Sequence, residues 1–187
     1  MNPLLIEFQT PHQVPPFDKI QFKHFQPAFK AGLLAQEKEY QAIENETEGP
    51  TFENTIEALE KSGQMLTSVS LVFFNLMGTD SSPEMNELAK EISPLLAAHK
   101  DRLYMSNAIF DRVDHLKQKP ETHWSSEQRR LIDEIHKAFI RSGIQLTKKE
   151  QSRVESINKS LAEFSMQYQQ NLLSENNSST MLLTKKE

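Results

Sequence analysis

The chain has 187 residues, of which 37% are hydrophobic and 25% charged, a balance typical of a globular, helix-rich protein. Its net charge of -5 gives no basic surface for nucleic acid. The sequence contains no cysteine, so disulfides and thiolate metal sites are excluded, while the cellular compartment stays open. Only five glycines are present, which means few tight turns and argues against an all-β fold.

The first residues, 1–7, do not resemble a secretory signal peptide. They lack a basic region, and their apolar run is too short for such a signal. No stretch of the chain approaches the roughly 20 apolar residues that a membrane span requires. Provided that no leader was removed, we expect a soluble, cytoplasmic protein that has neither a membrane nor a nucleic acid as its partner.

The N-terminal segment, residues 1–21, is predicted to run extended over the surface. It is rich in proline, which fixes the backbone and lacks a backbone donor. A first helix is predicted to begin between Phe22 and Gln26, with Pro27 tolerated in its first turn. The polar run at residues 44–49 is expected to end this helix.

The second predicted helix is strongly apolar and is expected to lie at the centre of the fold. Thr51 is a typical N-cap, because its hydroxyl can accept a first-turn N–H. An apolar stripe then continues at helical spacing for about seven turns and includes two small residues, where a partner helix is expected to approach closely. Its members are Phe52, Ile56, Leu59, Gly63, Leu66, Ser70, Phe73 and Met77. Residues 69–77 are predicted to be buried all round, with Gly78 as the C′ residue.

Three further helices follow from their capping residues. Ser82 is a typical N-cap with a proline after it, and Pro94 is expected to kink the helix that Ser82 begins. A short helix is predicted at residues 107–116. The next helix begins at Ser125, where a capping box is predicted, and Gly143 closes it.

The last predicted helix begins at Thr147, where Glu150 completes a capping box. Its apolar stripe consists of Val154, Ile157, Leu161, Phe164, Tyr168 and Leu172. Residues 176–179 are expected to end the helix, and residues 181–184 have the composition of a strand.

These elements predict an all-α fold, an array of about six mostly antiparallel helices joined by short loops. The predicted organisation is an extended segment at residues 1–21, a helical domain at 22–176, and the start of a strand at 177–187.

Residue chemistry alone assigns no catalytic, metal-binding or substrate-binding residue. None of the six histidines pairs with another at helical metal-ligand spacing, and the His-Glu-x-x-His motif is absent. His136, close in sequence to Asp133 and Glu134, is interpreted as part of a polar helix face rather than as a proton shuttle. His99 is interpreted in the same way.

Several blocks of sequence carry a resemblance. They are Asn-Pro-Leu-Leu at 2–5, Pro-Phe-Asp-Lys-Ile at 16–20, Phe-Gln-Pro-Ala-Phe at 25–29, Pro-Thr-Phe-Glu-Asn-Thr-Ile-Glu-Ala-Leu-Glu at 50–60 and Ile-Phe-Asp-Arg-Val at 109–113. In this order they resemble the N-terminal region of the thimet oligopeptidase family of zinc metallopeptidases, and within it the bacterial peptidyl-dipeptidases. The block that begins at Pro50 is the most specific of them.

The resemblance implies the N-terminal helical lobe of a neurolysin-like, two-lobed enzyme with a deep channel. It also implies a zinc ion held by a His-Glu-x-x-His helix and a further Glu, and release of dipeptides from the C-termini of short peptides. In the family these site residues lie downstream of the region that matches, so none is carried over and no zinc is expected on this chain. The implied partners are the C-terminal catalytic part of the same enzyme and short peptides, with this chain as one wall of the channel.

Two other functions stay open, an oligopeptidase A-like endopeptidase and a non-enzymatic helical interaction domain. Six helices can shield only some of the apolar faces described above. If the chain is one lobe of a larger enzyme, we therefore expect exposed apolar surface that promotes either self-association or binding to the rest of the enzyme.

Overall fold

The computed structural model describes residues 1–80 and 82–179, and within these ranges every regular element is helical. The α-helices there are α1 (Phe25–Glu44), α2 (Ala58–Lys61), α3 (Gln64–Thr79), α4 (Pro83–Tyr104), α5 (Asn107–Gln118), α6 (Ser126–Ser142) and α7 (Lys148–Ser178). A π-helical segment, Phe52–Glu57, leads into α2, which is a single turn. The predicted all-α array of about six helices is confirmed, since six of these helices have 12 residues or more.

Side-chain caps fix most helix starts where the sequence predicts them. The hydroxyl of Thr51 accepts the N–H of Asn54, and the hydroxyl of Ser82 accepts that of Met85. Ser125 and Thr147 each form a complete capping box. A cap of this kind stabilises a helix by about 1 kcal/mol. Gly143 ends α6 with a left-handed φ of 95°, as predicted.

The second predicted helix is interrupted at Gly63, and this corrects the role predicted for that residue. Helix α2 ends at Lys61, and Gly63 has a left-handed φ of 72° before α3 begins. The N–H of Gly63 donates to Oε2 of Glu39 at 2.7 Å, and the side chain of Gln36 fills the space where a Cβ would lie. Gly63 is therefore a break in the chain that is held by α1, rather than a small residue between two packed helices.

A close approach between helices does occur, at Gly32 on α1. A Cβ at Gly32 would lie 3.0 Å from the Cα of Leu66 on α3, closer than side chains normally pack. The small residue that lets these helices approach therefore lies on the partner helix, where the sequence stripe did not indicate it.

Other predicted details also differ from the structure. Gly78 lies inside α3, which ends at Thr79, so it is not the C′ residue. Leu71 is 68% exposed, so the end of α3 is not buried all round. Pro94 lies inside α4, where the kink stays a prediction. Helix α7 ends at Ser178, within residues 176–179 where its end is predicted, so residues 177 and 178 are helical and do not begin the predicted strand segment. The strand composition noted at residues 181–184 lies outside the described residues.

The N-terminal segment is more ordered into turns than predicted. Two 3₁₀ turns, Pro3–Leu5 and Pro11–Gln13, interrupt the extended backbone. The side-chain amide of Asn2 donates to the carbonyl oxygen of His24 at 2.8 Å, and Leu4 is only 4% exposed. The start of the chain is therefore part of the core that surrounds the beginning of α1.

The buried side chains form two clusters. The first lies between α1, α3 and α4 and contains edge-on aromatic contacts of Phe73 with Phe25 and Phe29. The second lies around α5, α6 and the π-helical segment, with Phe139 at 0% exposure. Helix α1 supplies residues to both, since its later residues Tyr40 and Ile43 belong to the second cluster.

Candidate functional site

Arg112 on α5 joins two of the sequence blocks that carry the family resemblance. Its Nη2 donates to Oδ1 of Asn54 at 2.8 Å, and its Nε donates to Oγ1 of Thr55 at 3.2 Å. Its Nη1 donates to the carbonyl oxygens of Glu46 and Glu48, both at 3.2 Å. This buried guanidinium therefore binds four groups of the fold, and two of them, on Asn54 and Thr55, belong to the block at residues 50–60.

A second polar cluster connects α1 to α4. Arg102 binds both carboxylate oxygens of Glu44, at 2.8 and 2.9 Å, and also contacts Glu37 at 3.1 Å. Ser106 donates to Glu44 at 2.5 Å. The hydrogen bonds from Arg102 hold the pKa of Glu44 below its usual range. This ion pair holds α1 and α4 together, as the hydrogen bonds of Arg112 hold α5 against the π-helical segment.

The two histidines considered as proton carriers lie in separate polar contacts. Nε2 of His99 lies 3.0 Å from Oε1 of Gln36, and its ring stacks on Tyr40. Burial lowers the pKa of His99, which favours the neutral ring. Nε2 of His136 lies 3.0 Å from Oδ1 of Asp114. Each histidine thus has a single acidic or amide partner on another helix.

Within residues 1–80 and 82–179, no group of three or more His, Asp or Glu side chains is arranged to hold a metal ion. Over the same ranges, no helix combines the length and the apolar character needed to cross a membrane.

An unusual surface lies along α7. Five large apolar side chains project from one side of this helix and are each between 48% and 68% exposed. We call this surface the outer face of α7, formed by Ile157, Leu161, Phe164, Tyr168 and Leu172. The sequence predicts this stripe as a packing surface, and within the described residues it packs against very little.

The opposite side of α7 attaches the helix to the rest of the fold. Met166 is buried in the first cluster. The side-chain amide of Asn158 donates to Oδ1 of Asp101 at 2.8 Å, and Gln170 donates to the carbonyl oxygen of Asn86 at 3.0 Å. Sequence periodicity misses this inner side because two of its anchoring residues are amides. The signal available in the sequence was that Asn158, Met166 and Gln170 lie on the same side of the predicted helix.

Comparison with known proteins gives the class. A family model, the N-terminal domain of neurolysin and thimet oligopeptidase, matches residues 29–151. The chain therefore belongs to the neurolysin/thimet oligopeptidase family, as its sequence blocks indicate.

The chain is similar to several named members of this family. The chain is 36% identical to the dipeptidyl carboxypeptidase of Salmonella typhimurium over 92% of its length, and 34% identical to that of Escherichia coli over 98%. It is 27% identical to oligopeptidase A of Escherichia coli over 98% of its length. The chain spans only 25% to 27% of these relatives.

Proposed function

We propose that this chain is the N-terminal helical lobe of a zinc peptidase that releases dipeptides from the C-termini of short peptides. The supporting observation is its higher identity to the two dipeptidyl carboxypeptidases, 36% and 34%, than to oligopeptidase A of Escherichia coli, 27%. In this proposal the lobe forms one wall of the channel that holds the substrate. The enzyme acts in the cytoplasm.

The zinc ion of the proposed enzyme does not fit the residues described. A catalytic zinc needs three protein ligands, and the described ranges bring no three His, Asp or Glu side chains together for this purpose. We therefore assign the metal and the hydrolytic step to a part of the enzyme outside these residues. The chain alone is expected to bind zinc weakly, with a dissociation constant above the submicromolar range in isothermal titration calorimetry. It is also expected to hydrolyse no peptide.

The proposal is tested by exchange of lobes. This chain replaces the aligned N-terminal quarter of Escherichia coli dipeptidyl carboxypeptidase in one chimera and that of Escherichia coli oligopeptidase A in another. Each is assayed with a peptide that has a free C-terminus and with one blocked at both ends. The activity of each chimera is expressed as a fraction of the activity of its parent enzyme. This fraction is expected to be at least tenfold larger for the dipeptidyl carboxypeptidase chimera than for the oligopeptidase A chimera.

The alternatives give different results. A larger retained activity in the second chimera would favour an oligopeptidase A-like endopeptidase. Two folded but inactive chimeras, checked by circular dichroism, would favour a helical interaction domain without a role in catalysis.

A further inference from the structure

We propose that the outer face of α7 is the surface on which the catalytic part of the same polypeptide docks. This inference rests on the proposed function, because it needs a catalytic part to exist. The occupant it commits to is an apolar, weakly charged surface of that part, which covers the five side chains from Ile157 to Leu172.

The outer face is a continuous apolar stripe along one side of α7. Its members follow one another at intervals of four, three, four and four residues, which keeps them on one side of a helix. The stripe from Ile157 to Leu172 is about 22 Å long at 1.5 Å per residue. Phe164 and Tyr168, at its centre, are 66% and 68% exposed. Elsewhere on α1, α3 and α4, exposed large apolar residues such as Leu34, Leu71 and Leu95 stand on different helices, as is normal for a soluble surface.

The charge of this part of α7 also fits a covered surface. Glu163 is the one charged residue between positions 160 and 174, whereas 25% of the whole chain is charged. A helix side that faces water normally carries many charges. The centres of protein interfaces are instead depleted of charge and enriched in aromatic residues, as this segment is.

Rotation of α7 cannot bury the outer face within the described fold. Such a rotation would withdraw Met166 from the first cluster and break the hydrogen bonds that Asn158 and Gln170 make to α4. Since α7 is anchored by its inner side, any cover of the outer face comes from outside the described residues.

One end of the outer face leads into a groove between α3, α4 and α7. The groove has a volume of about 620 Å³ and is lined by Phe74, Met77 and Leu172, among others. Asn86 also lines it, and the Oδ1 atom of this side chain is buried and accepts no hydrogen bond from the residues described. Since Leu172 belongs to the outer face and also lines the groove, a surface docked on this face is expected to extend into the groove.

The length of the relatives supports the choice of occupant. The chain matches about a quarter of each dipeptidyl carboxypeptidase, so roughly three quarters of such an enzyme are available to cover the outer face. A second copy of this chain is the main competitor and is an outcome of the test.

Cysteine labelling tests the proposal, because the chain has no cysteine of its own. The variants are Leu161→Cys on the outer face and Leu34→Cys on α1 as the matched control, since these leucines are 56% and 57% exposed. The rate of maleimide labelling, followed by mass spectrometry of the labelled peptide, is compared between the isolated chain and the dipeptidyl carboxypeptidase chimera. If the chimera does not fold, the isolated chain is mixed with the Escherichia coli relative that lacks its N-terminal quarter.

The expected result is at least tenfold slower labelling of Leu161→Cys in the presence of the catalytic part, with an unchanged rate for Leu34→Cys. Equal rates at position 161 with and without the catalytic part would overturn the docking proposal. Protection of position 161 in the isolated chain that grows with concentration would assign the face to a second copy instead. Protection in a folded but inactive chimera would leave the docking intact and overturn the proposed function alone.

Discussion

Nη2 of Arg112 donates to the Oδ1 atom of Asn54, and the same oxygen accepts the N–H of Thr51 at 2.8 Å. One amide oxygen therefore closes the helix cap at Thr51 and binds a buried guanidinium from α5. Because a shared acceptor ties a local motif to a distant helix, the cap and the packing of α5 depend on each other.

The first prediction concerns this pair. Arg112→Met keeps much of the apolar length but removes the guanidinium that donates to Asn54, to Thr55 and to two backbone carbonyls. We expect a loss of about 2–4 kcal/mol in the free energy of unfolding, measured by urea denaturation. The control is Arg130→Met, because the side chain of Arg130 is 79% exposed, and it should change stability by less than about 0.5 kcal/mol. Equal effects of the two variants would show that the buried guanidinium does not stabilise the fold.

The second prediction concerns two glycines with opposite environments. Gly63→Ala places a Cβ at a left-handed φ of 72° and within 2.1 Å of the Gln36 side chain, so we expect a loss of about 1–3 kcal/mol. Gly78→Ala lies inside α3 and meets nothing within 4 Å, so a gain of about 0.5–1 kcal/mol is expected. Thermal unfolding of both variants gives the comparison. A neutral Gly63→Ala would mean that the break between α2 and α3 adapts at no cost.

The third prediction concerns Glu44 and acid. Its pKa is lowered from 4.5 in the folded state, chiefly by the hydrogen bonds from Arg102, so the folded protein binds the proton less readily than the unfolded chain. The stabilisation is complete above pH 4.5 and is lost as the pH falls through the lowered pKa. We expect Glu44→Gln to be about 1–2 kcal/mol less stable than the original chain at pH 7 and to approach it in acid. A difference that stays constant with pH would remove the ionised carboxylate from the explanation.

The fourth prediction concerns Asp101, whose effect on stability depends on pH in the opposite direction to that of Glu44. Asp101 is 9% exposed, and burial raises its pKa above 3.8, so its contribution is greatest below pH 3.8 and is lost as the pH rises through the raised pKa. Asp101→Asn keeps an acceptor for Asn158 without a charge. In urea titrations, its free energy of unfolding should equal that of the original chain in acid and exceed it by about 0.5–1 kcal/mol at pH 7.

Asp111→Asn, at an exposed position on α5, is the matched control and should stay within about 0.5 kcal/mol at both pH values. A clear loss of stability for Asp101→Asn at pH 7 would show that the charged form of Asp101 is needed to attach α7.

Local signals predicted the helix starts well. The caps at Thr51, Ser82, Ser125 and Thr147 depend on residues only three positions apart, and such contacts can be recognised in sequence. The break at Gly63 could not be recognised in this way. The apolar stripe continues through it, and the residue that satisfies its N–H, Glu39, is 24 positions away on α1.

The candidate surface was predicted only in part. The periodicity of α7 identified its apolar side correctly, but periodicity does not say which neighbour covers that side. Met166, Asn158 and Gln170 hold the opposite side against the fold, and their partners on α4 are distant in sequence. The role of Arg112 was hidden for the same reason, since it lies 58 positions from Asn54.

Helix α1 contributes Phe25 and Phe29 to one cluster and Tyr40 and Ile43 to the other. If α1 unfolds, both clusters therefore lose buried side chains at the same time. The two halves of the described fold are therefore thermodynamically coupled through α1, and they should melt as a single cooperative unit. Calorimetry should record one transition, and a substitution at either end of α1 should shift that transition as a whole.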